Sequence, residues 1–337
     1  MEEKTLQTIL FERIEAKVGS HKNMAKEVAH ILGIGSNVIY DRLSGKKSLS
    51  IEELYKLALH YRFSLDDLIH PDATGFRLRS QLGQPRSFEE YLSAILADIS
   101  LLHGLLPDCK IHYAASDLIF FYYLSEESLM LFKLYIWGRT VWDIEQYQQQ
   151  RFNRESLKQP RIMQLLEQLR TKYNDFPTIE FWHTNMMDTT LNQMRYCLLC
   201  NLFAQPNDAL VIVKSIYTLL DRMEETARLE RKGGKNGKAE TKAYFNEMMQ
   251  NPAIIFIDSP EVKAVYSVYD SPNFMISYAP NTINNTKFYL QRIERHSFRL
   301  SEEQHRNRFF DAMRDKLQVA EAEFTDLVEK LNIGKKR

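Results

Sequence analysis

The chain has no surplus of charge: its 44 basic and 44 acidic residues cancel over 337 positions. Any pull on a polyanion must therefore be local. It also has no long apolar run. The most apolar window, Ser116 to Trp137, is broken by Glu126, Glu127 and Lys133, and no basic-then-apolar leader opens the chain, so a soluble, cytoplasmic protein with no membrane partner is expected. Cysteine is scarce. Three (Cys109, Cys197, Cys200) cannot all pair, and their apolar surroundings suit a reducing compartment. The signatures HExxH, GxSxG, GxGxxG and those of kinases are absent, so neither an enzyme nor a cofactor is expected. What is there is an ordinary globular interior, 44% hydrophobic and 12% aromatic, in a chain long enough for two or three domains.

The most informative stretch is residues 22 to 69. Ala25, Val28, Ala29 and Leu32 recur at helical spacing, Gly33 and Gly35 permit a sharp turn, and a second short helix follows from Ser36 to Leu43. Ser36 is the expected N-cap and Gly45 the expected stop. With Ile39 and Leu43 turned inward, Asn37, Tyr40, Asp41 and Ser44 face outward and Arg42 lies on the flank. Such side chains can read base edges: asparagine pairs with adenine, arginine with guanine, and a carboxylate accepts from cytosine. Lys22, Asn23, Ser36, Ser44, Lys46 and Lys47 are placed for the phosphate backbone. Within residues 22 to 47 five bases (Lys22, Lys26, Arg42, Lys46, Lys47) oppose Glu27 and Asp41, so the positive field is confined to this segment. Few phosphate contacts per subunit point to two subunits on a two-fold site.

Ser50-Ile51-Glu52-Glu53 is a capping box, followed by Leu54, Leu57 and Ala58 on an expected buried face; Ser64 to Ile69 opens a further helix, and Leu6, Ile9, Leu10 and Ile14 mark one over about residues 5 to 17. The order Met24-Ala25, Gly33, Tyr40-Asp41-Arg42-Leu43-Ser44-Gly45, Ser50 to Glu53, Leu57-Ala58 and Phe63-Ser64-Leu65-Asp66 resembles the Cro/λ-repressor-type helix-turn-helix domain of bacterial transcription regulators. The chain departs from the common pattern in a slightly longer first helix and in Asp41, where a basic residue is more typical. The resemblance implies a five-helix DNA-binding domain over residues 1–70.

Pro71, Gly75, Gly83 and Pro85 make 71–86 a linker. Beyond it, Ser87-Phe88-Glu89-Glu90 caps a helix with an apolar stripe from Phe88 to Leu106, and further helices are expected near 113–137, 154–174, 187–202 and 206–230. The Ile111-to-Trp137 and Arg306-to-Arg314 stretches are loosely similar to long helix-turn-helix proteins of Bacteroidetes-type bacteria. Lys232 to Lys238 is a basic glycine-rich surface turn without Walker spacing. Strands are expected at 253–258, 262–269 and 274–278, an antiparallel β-meander in an otherwise helical domain spanning 87–332, before a basic tail at 333–337. Phe310, Met313, Leu317, Ala320, Phe324, Leu327 and Leu331 step by three and four, a seam for a homodimer or for packing within the domain. Cys197-Leu198-Leu199-Cys200 reads as buried helix, not a zinc site, because no second pair exists; His183 and Asp188 have no nucleophile at a recognisable spacing; and Tyr113, Phe120 to Tyr123, Tyr135 and Trp137 read as core before they read as a ligand pocket.

The expectation is therefore a mainly α, sequence-specific transcription regulator. Its 36–43 helix enters the major groove of double-stranded DNA and its larger domain dimerises, with an unknown small-molecule or protein effector as a further partner. The alternative is a protein-interaction module in which the helix-turn-helix serves as a docking bundle and the large domain binds a partner such as a toxin or a polymerase subunit, with weak DNA binding that ignores sequence.

Overall fold

The computed structural model describes residues 5–61, 77–78, 87–114, 117–233, 237–248, 253–270 and 272–334. The expected helix at Ser64 to Ile69, most of the 71–86 segment and the last three residues of the tail lie outside them. The chain divides into two compact units, Met1–Gly75 with Ala279–Asn281, and Phe76–Tyr278 with Thr282–Arg337.

The smaller unit holds α1 (Leu6–Val18), α2 (His21–Leu32), α3 (Ser36–Leu43) and α4 (Ile51–Tyr61). Its boundaries follow from capping. Thr5 Oγ1 accepts from the Thr8 N–H and Ser20 Oγ from the Asn23 N–H, each at 3.3 Å, and Gly19 and Gly33 end α1 and α2 in the left-handed region at φ 85° and 66°. Leu10, Phe11 and Ile14 of α1 close on Met24, Ala25, Val28, Leu32, Ile39 and Leu57 in one core.

The larger unit is mostly helical around one mixed sheet. In chain order it contains β1 (Arg77–Leu78), α5 (Phe88–His103), β2 (Lys110–Ala114), α6 (Phe120–Tyr123), α7 (Glu127–Thr140), α8 (Glu145–Gln149), α9 (Arg154–Leu157), α10 (Pro160–Asn174), β3 (Thr178–Trp182), α11 (Asp188–Leu199) and α12 (Asp208–Leu229). There follow β4 (Thr241–Phe245), β5 (Ile254–Asp258), β6 (Lys263–Asp270), β7 (Asn273–Ser277), α13 (Pro280–Arg295), β8 (Phe298–Arg299) and α14 (Glu303–Gly334). The eight strands run in the order β1-β7-β6-β5-β2-β3-β4-β8. The expected meander is present as β5, β6 and β7, antiparallel throughout, but it is one wing of a larger sheet. The centre, β2-β3-β4, is parallel, with Ile111 opposite Thr178 and Thr178 opposite Thr241. Parallel neighbours need long crossovers, here α6 to α10 and then α11 with α12. Three expectations are corrected. Residues 110–114 are a strand where a helix was expected to begin at 113, the helix expected from 154 is broken before Pro160, and Arg77–Leu78 of the linker pair with β7.

Strand alternation sends residues to two cores. Trp182 and Ala243 join a large cluster with the helices, whereas Phe181 and Tyr244 face Leu290 and Ile293 of α13. Helix α7 is buried all round from Ser128 to Gly138, Lys133 included, which marks a central core helix.

Of the two uses left open for the α14 stripe, a homodimer seam or packing within the domain, the structure has the second. Phe310, Met313, Leu317, Ala320 and Phe324 are 0–3% exposed within the single chain, and Leu327 and Leu331 are half-buried against the same core. Flanking polar residues fix α14 on its neighbours: Arg314 binds Asp221 at 2.9 Å and Glu224 at 2.5 Å, the Tyr217 hydroxyl donates to Glu321 at 3.0 Å, and the Arg195 fork meets Glu323 at 2.6 and 2.8 Å. The heptad spacing is used inside the domain.

Candidate nucleic-acid interface

Helices α2 and α3 meet across Gly33 with α3 held by a single deeply buried apolar anchor, Ile39, 1% exposed, and a half-buried Leu43. Gly35, not Ser36, is the N-cap: it is extended at φ −72° and has no side chain to offer, so the first-turn N–H groups of α3 carry no side-chain cap. Ser36 is the first helical residue. Asn37 and Asp41 are exposed, and Tyr40 is 48% exposed with its ring stacked on His21 of α2, centroids 6.5 Å apart. Val38, 36% exposed, shares this outward surface; its apolar character had placed it in no expected role. Lys22, Asn23, Lys46 and Lys47 are exposed, as the sequence reading required. The Ser44 hydroxyl donates to the Asp41 carbonyl at 3.2 Å and so helps close the helix.

Arg42 is the principal correction. It is 7% exposed, and its guanidinium donates to Glu53 Oε1 at 2.5 Å and to the Ser48 carbonyl at 2.7 Å. Glu53 is also the capping-box residue of α4: Oε2 accepts from the Ser50 N–H at 2.7 Å while Ser50 Oγ accepts from the Glu53 N–H at 3.1 Å. One carboxylate thus caps α4 and ties α3 to it, and Arg42 cannot reach a base edge while it does so. The flank position read from helical spacing is right, but the flank faces α4.

Gln7 of α1 completes the frame, and no motif pointed to it. Its Nε2 donates to the carbonyls of Arg42 at 2.6 Å and Lys47 at 3.0 Å, and its Oε1 accepts from the Leu49 N–H at 2.8 Å. Gly45, at φ 74°, turns the chain, and the Lys47 N–H returns to the Asp41 carbonyl at 3.0 Å. The loop carrying the two lysines is therefore held at both ends, a preorganised surface and not a loose tail.

The chemistry-bearing fragments of the larger unit stay apart. The His183 Nδ1 accepts from the Asn185 N–H at 3.0 Å, its Nε2 lies 3.2 Å from the Glu247 carboxylate, and Asp188 is held by Lys316 at 2.7 Å. Cys197 is buried, and burial raises its thiol to about 12. Cys200, Tyr196 and Leu199 are exposed, so this helix is buried on one side only. Among the described residues no group of His, Cys, Asp and Glu is arranged to hold a metal.

Two buried lysines were not foreseen. Lys232 of the supposed surface turn is 5% exposed, its Nζ 3.5 Å from the centre of the Tyr173 ring, and burial lowers it from 10.5 to about 7 against the opposing pull of Glu180. Glu180 itself accepts from Tyr122 at 2.7 Å, Thr178 at 2.7 Å, Trp182 at 3.0 Å and Tyr173 at 3.3 Å. Lys133 donates to Gln193 at 2.8 Å between the rings of Tyr123 and Trp137, and burial lowers it to about 8. These are internal charge networks in the aromatic core, with the Glu180 carboxylate fully engaged by its own fold.

The chain matches no family model, no curated protein and no solved structure. No helix among the described residues is long and apolar enough to cross a membrane.

Proposed function

We propose that the chain is a sequence-specific DNA-binding transcription regulator, with the smaller unit a λ-repressor-like domain that reads DNA and the larger unit a regulatory body. The observation that supports this best is the α2–turn–α3 arrangement. It leaves Asn37, Tyr40, Asp41 and Val38 on one outward face while Arg42–Glu53 and Gln7 lock the scaffold behind them. In this reading α3 lies in the major groove. Asn37 pairs with an adenine edge, Val38 packs on a thymine methyl, and Asp41 accepts from a cytosine amino group. Tyr40, steadied by His21, reaches a base or a phosphate. Lys22, Asn23, Lys46, Lys47 and the uncapped amides of α3 take phosphates.

The test is selection of binding sites from random duplex DNA by the full chain, with Asn37→Ala/Tyr40→Ala in parallel. An enriched two-fold sequence that the double variant loses is expected. Lys46→Ala and Lys47→Ala should instead weaken binding to all sequences alike, each reducing the salt slope by about 1. No enrichment by folded protein would overturn the reading in favour of a protein-docking bundle.

A further inference from the structure

Helix α4 carries an apolar stripe that its own core does not use. Leu57 is fully buried and Leu54 and Ala58 half-buried, yet Ile51, Tyr55 and Leu59, spaced four apart on one face, are 81%, 61% and 60% exposed. Three large apolar side chains in a row on so small a unit mark an association surface. Glu52 and Lys56 flank the stripe on one side. Both are exposed, and among the described residues neither makes an ion pair, although they stand four apart on the same helix.

We infer that this face binds the same face of a second copy of the chain, two α4 helices crossing antiparallel about a two-fold axis at Tyr55. The charges select this occupant. In that arrangement Ile51 of one copy lies against Leu59 of the other, and Tyr55 meets its own equivalent. The shared flank brings Glu52 opposite Lys56 of the second copy, within about 3 Å along the helix axis at 1.5 Å of rise per residue. The symmetry makes the pairing reciprocal, two ion pairs around an apolar centre. With the α14 seam buried in its own domain, α4 supplies the self-complementary surface that a two-fold DNA site calls for. The inference rests on the DNA-reading proposal only for its purpose. Because Glu53 ties α4 to Arg42 of α3, a two-fold at Tyr55 would also set the separation of the two recognition helices.

The contact is small, so covalent trapping is the right measurement. In a Cys200→Ser background of the full chain, Tyr55→Cys faces its own equivalent across the axis, whereas Ala16→Cys, exposed on α1, does not. Under mild oxidation without DNA, Tyr55→Cys should form covalent dimer at least about tenfold faster than Ala16→Cys. Adding Glu52→Lys should slow it, because like charges then meet, and Glu52→Lys with Lys56→Glu should restore it. Equal rates at positions 55 and 16, or failure of the double exchange to restore trapping, would overturn the inference and assign the stripe to another occupant. Trapping without site enrichment would remove only the DNA reading, and enrichment without trapping only this contact.

Discussion

Arg42 shows how one residue's role turns on a neighbour far along the chain. Its type and its place on α3 suit a guanine reader, but Glu53 lies 2.5 Å away and the Ser48 carbonyl accepts a second hydrogen bond from the guanidinium. Removing one partner of a nearly buried pair leaves the other charged and desolvated. Arg42→Ala should therefore lower the stability of the smaller unit by about 2–4 kcal/mol, with most of the loss due to the stranded Glu53 carboxylate. Hydrogen exchange of α2 and α3 amides in the full chain measures this; unchanged protection would mean that the pair contributes nothing and that Arg42 is free to face DNA. Lys232 makes the same point in the larger unit, where a lysine in a basic glycine-rich run is buried against the Tyr173 ring.

Among the elements, α14 takes the second of the two roles its pattern allowed, and α4 keeps an exposed apolar stripe beside its expected buried face. The long three-and-four repeat of α14 resembles an intermolecular seam because a heptad stripe is the same on either kind of partner. Only the positions of α11 and α12 decide that it is filled from within. Leu317→Ala should accordingly destabilise the larger unit by about 2–5 kcal/mol in urea unfolding followed by tryptophan fluorescence. All three tryptophans, Trp137, Trp142 and Trp182, are buried in that unit, so the signal reports it alone. The variant's mass in solution should not change; a shift to half the mass at unchanged stability would return the seam to an interface. The strands divided along similar lines. β5, β6 and β7 are legible because short turns with proline separate β-branched and aromatic runs. β2, β3 and β4 sit at the edges of helical stretches, and a five-residue strand buried on both faces does not alternate cleanly enough to stand out from them.

For the whole molecule, the buried charges give the larger unit a stability that depends on pH. Lys232 titrates near 7 in the folded chain and near 10.5 when unfolded. Between these values the unfolded state binds more protons, so stability rises as pH increases from about 7 towards 10, and the full cost of the buried ammonium is felt below about 7. Lys133, lowered to about 8, adds the same sign over the upper part of that window. Tyr113, Tyr122 and Tyr173 are raised well above 10 by burial and by Glu180, so they begin to oppose folding only above that range. Burial raises the thiols of Cys109 and Cys197 from 9 to about 11 and about 12, which opposes the trend once the unfolded chain begins to ionise near 9, so the urea midpoint followed by tryptophan fluorescence should climb from pH 7 to about pH 8.5 in the native chain. Lys232→Met should climb less steeply. Parallel slopes would show that Lys232 is not the group responsible.

The sequence by itself determined the local units. The caps at Thr5, Ser20, Ser50 and Ser87, the glycine turn at Gly33, the outward face of α3, the meander and the mostly helical character all follow from interactions within a few residues, which a sequence displays directly. Tertiary structure alone decided what those units touch. It turned Arg42 onto Glu53, set Gln7 under the lysine loop, joined strands more than sixty residues apart into one sheet, buried Lys232 and the α14 stripe, and left the Ile51-Tyr55-Leu59 face of α4 open. The physical reason is that spacing records which side chains share a face, while the partner of that face comes from distant parts of the chain. Its identity is settled only when desolvation, packing and charge pairing are satisfied together.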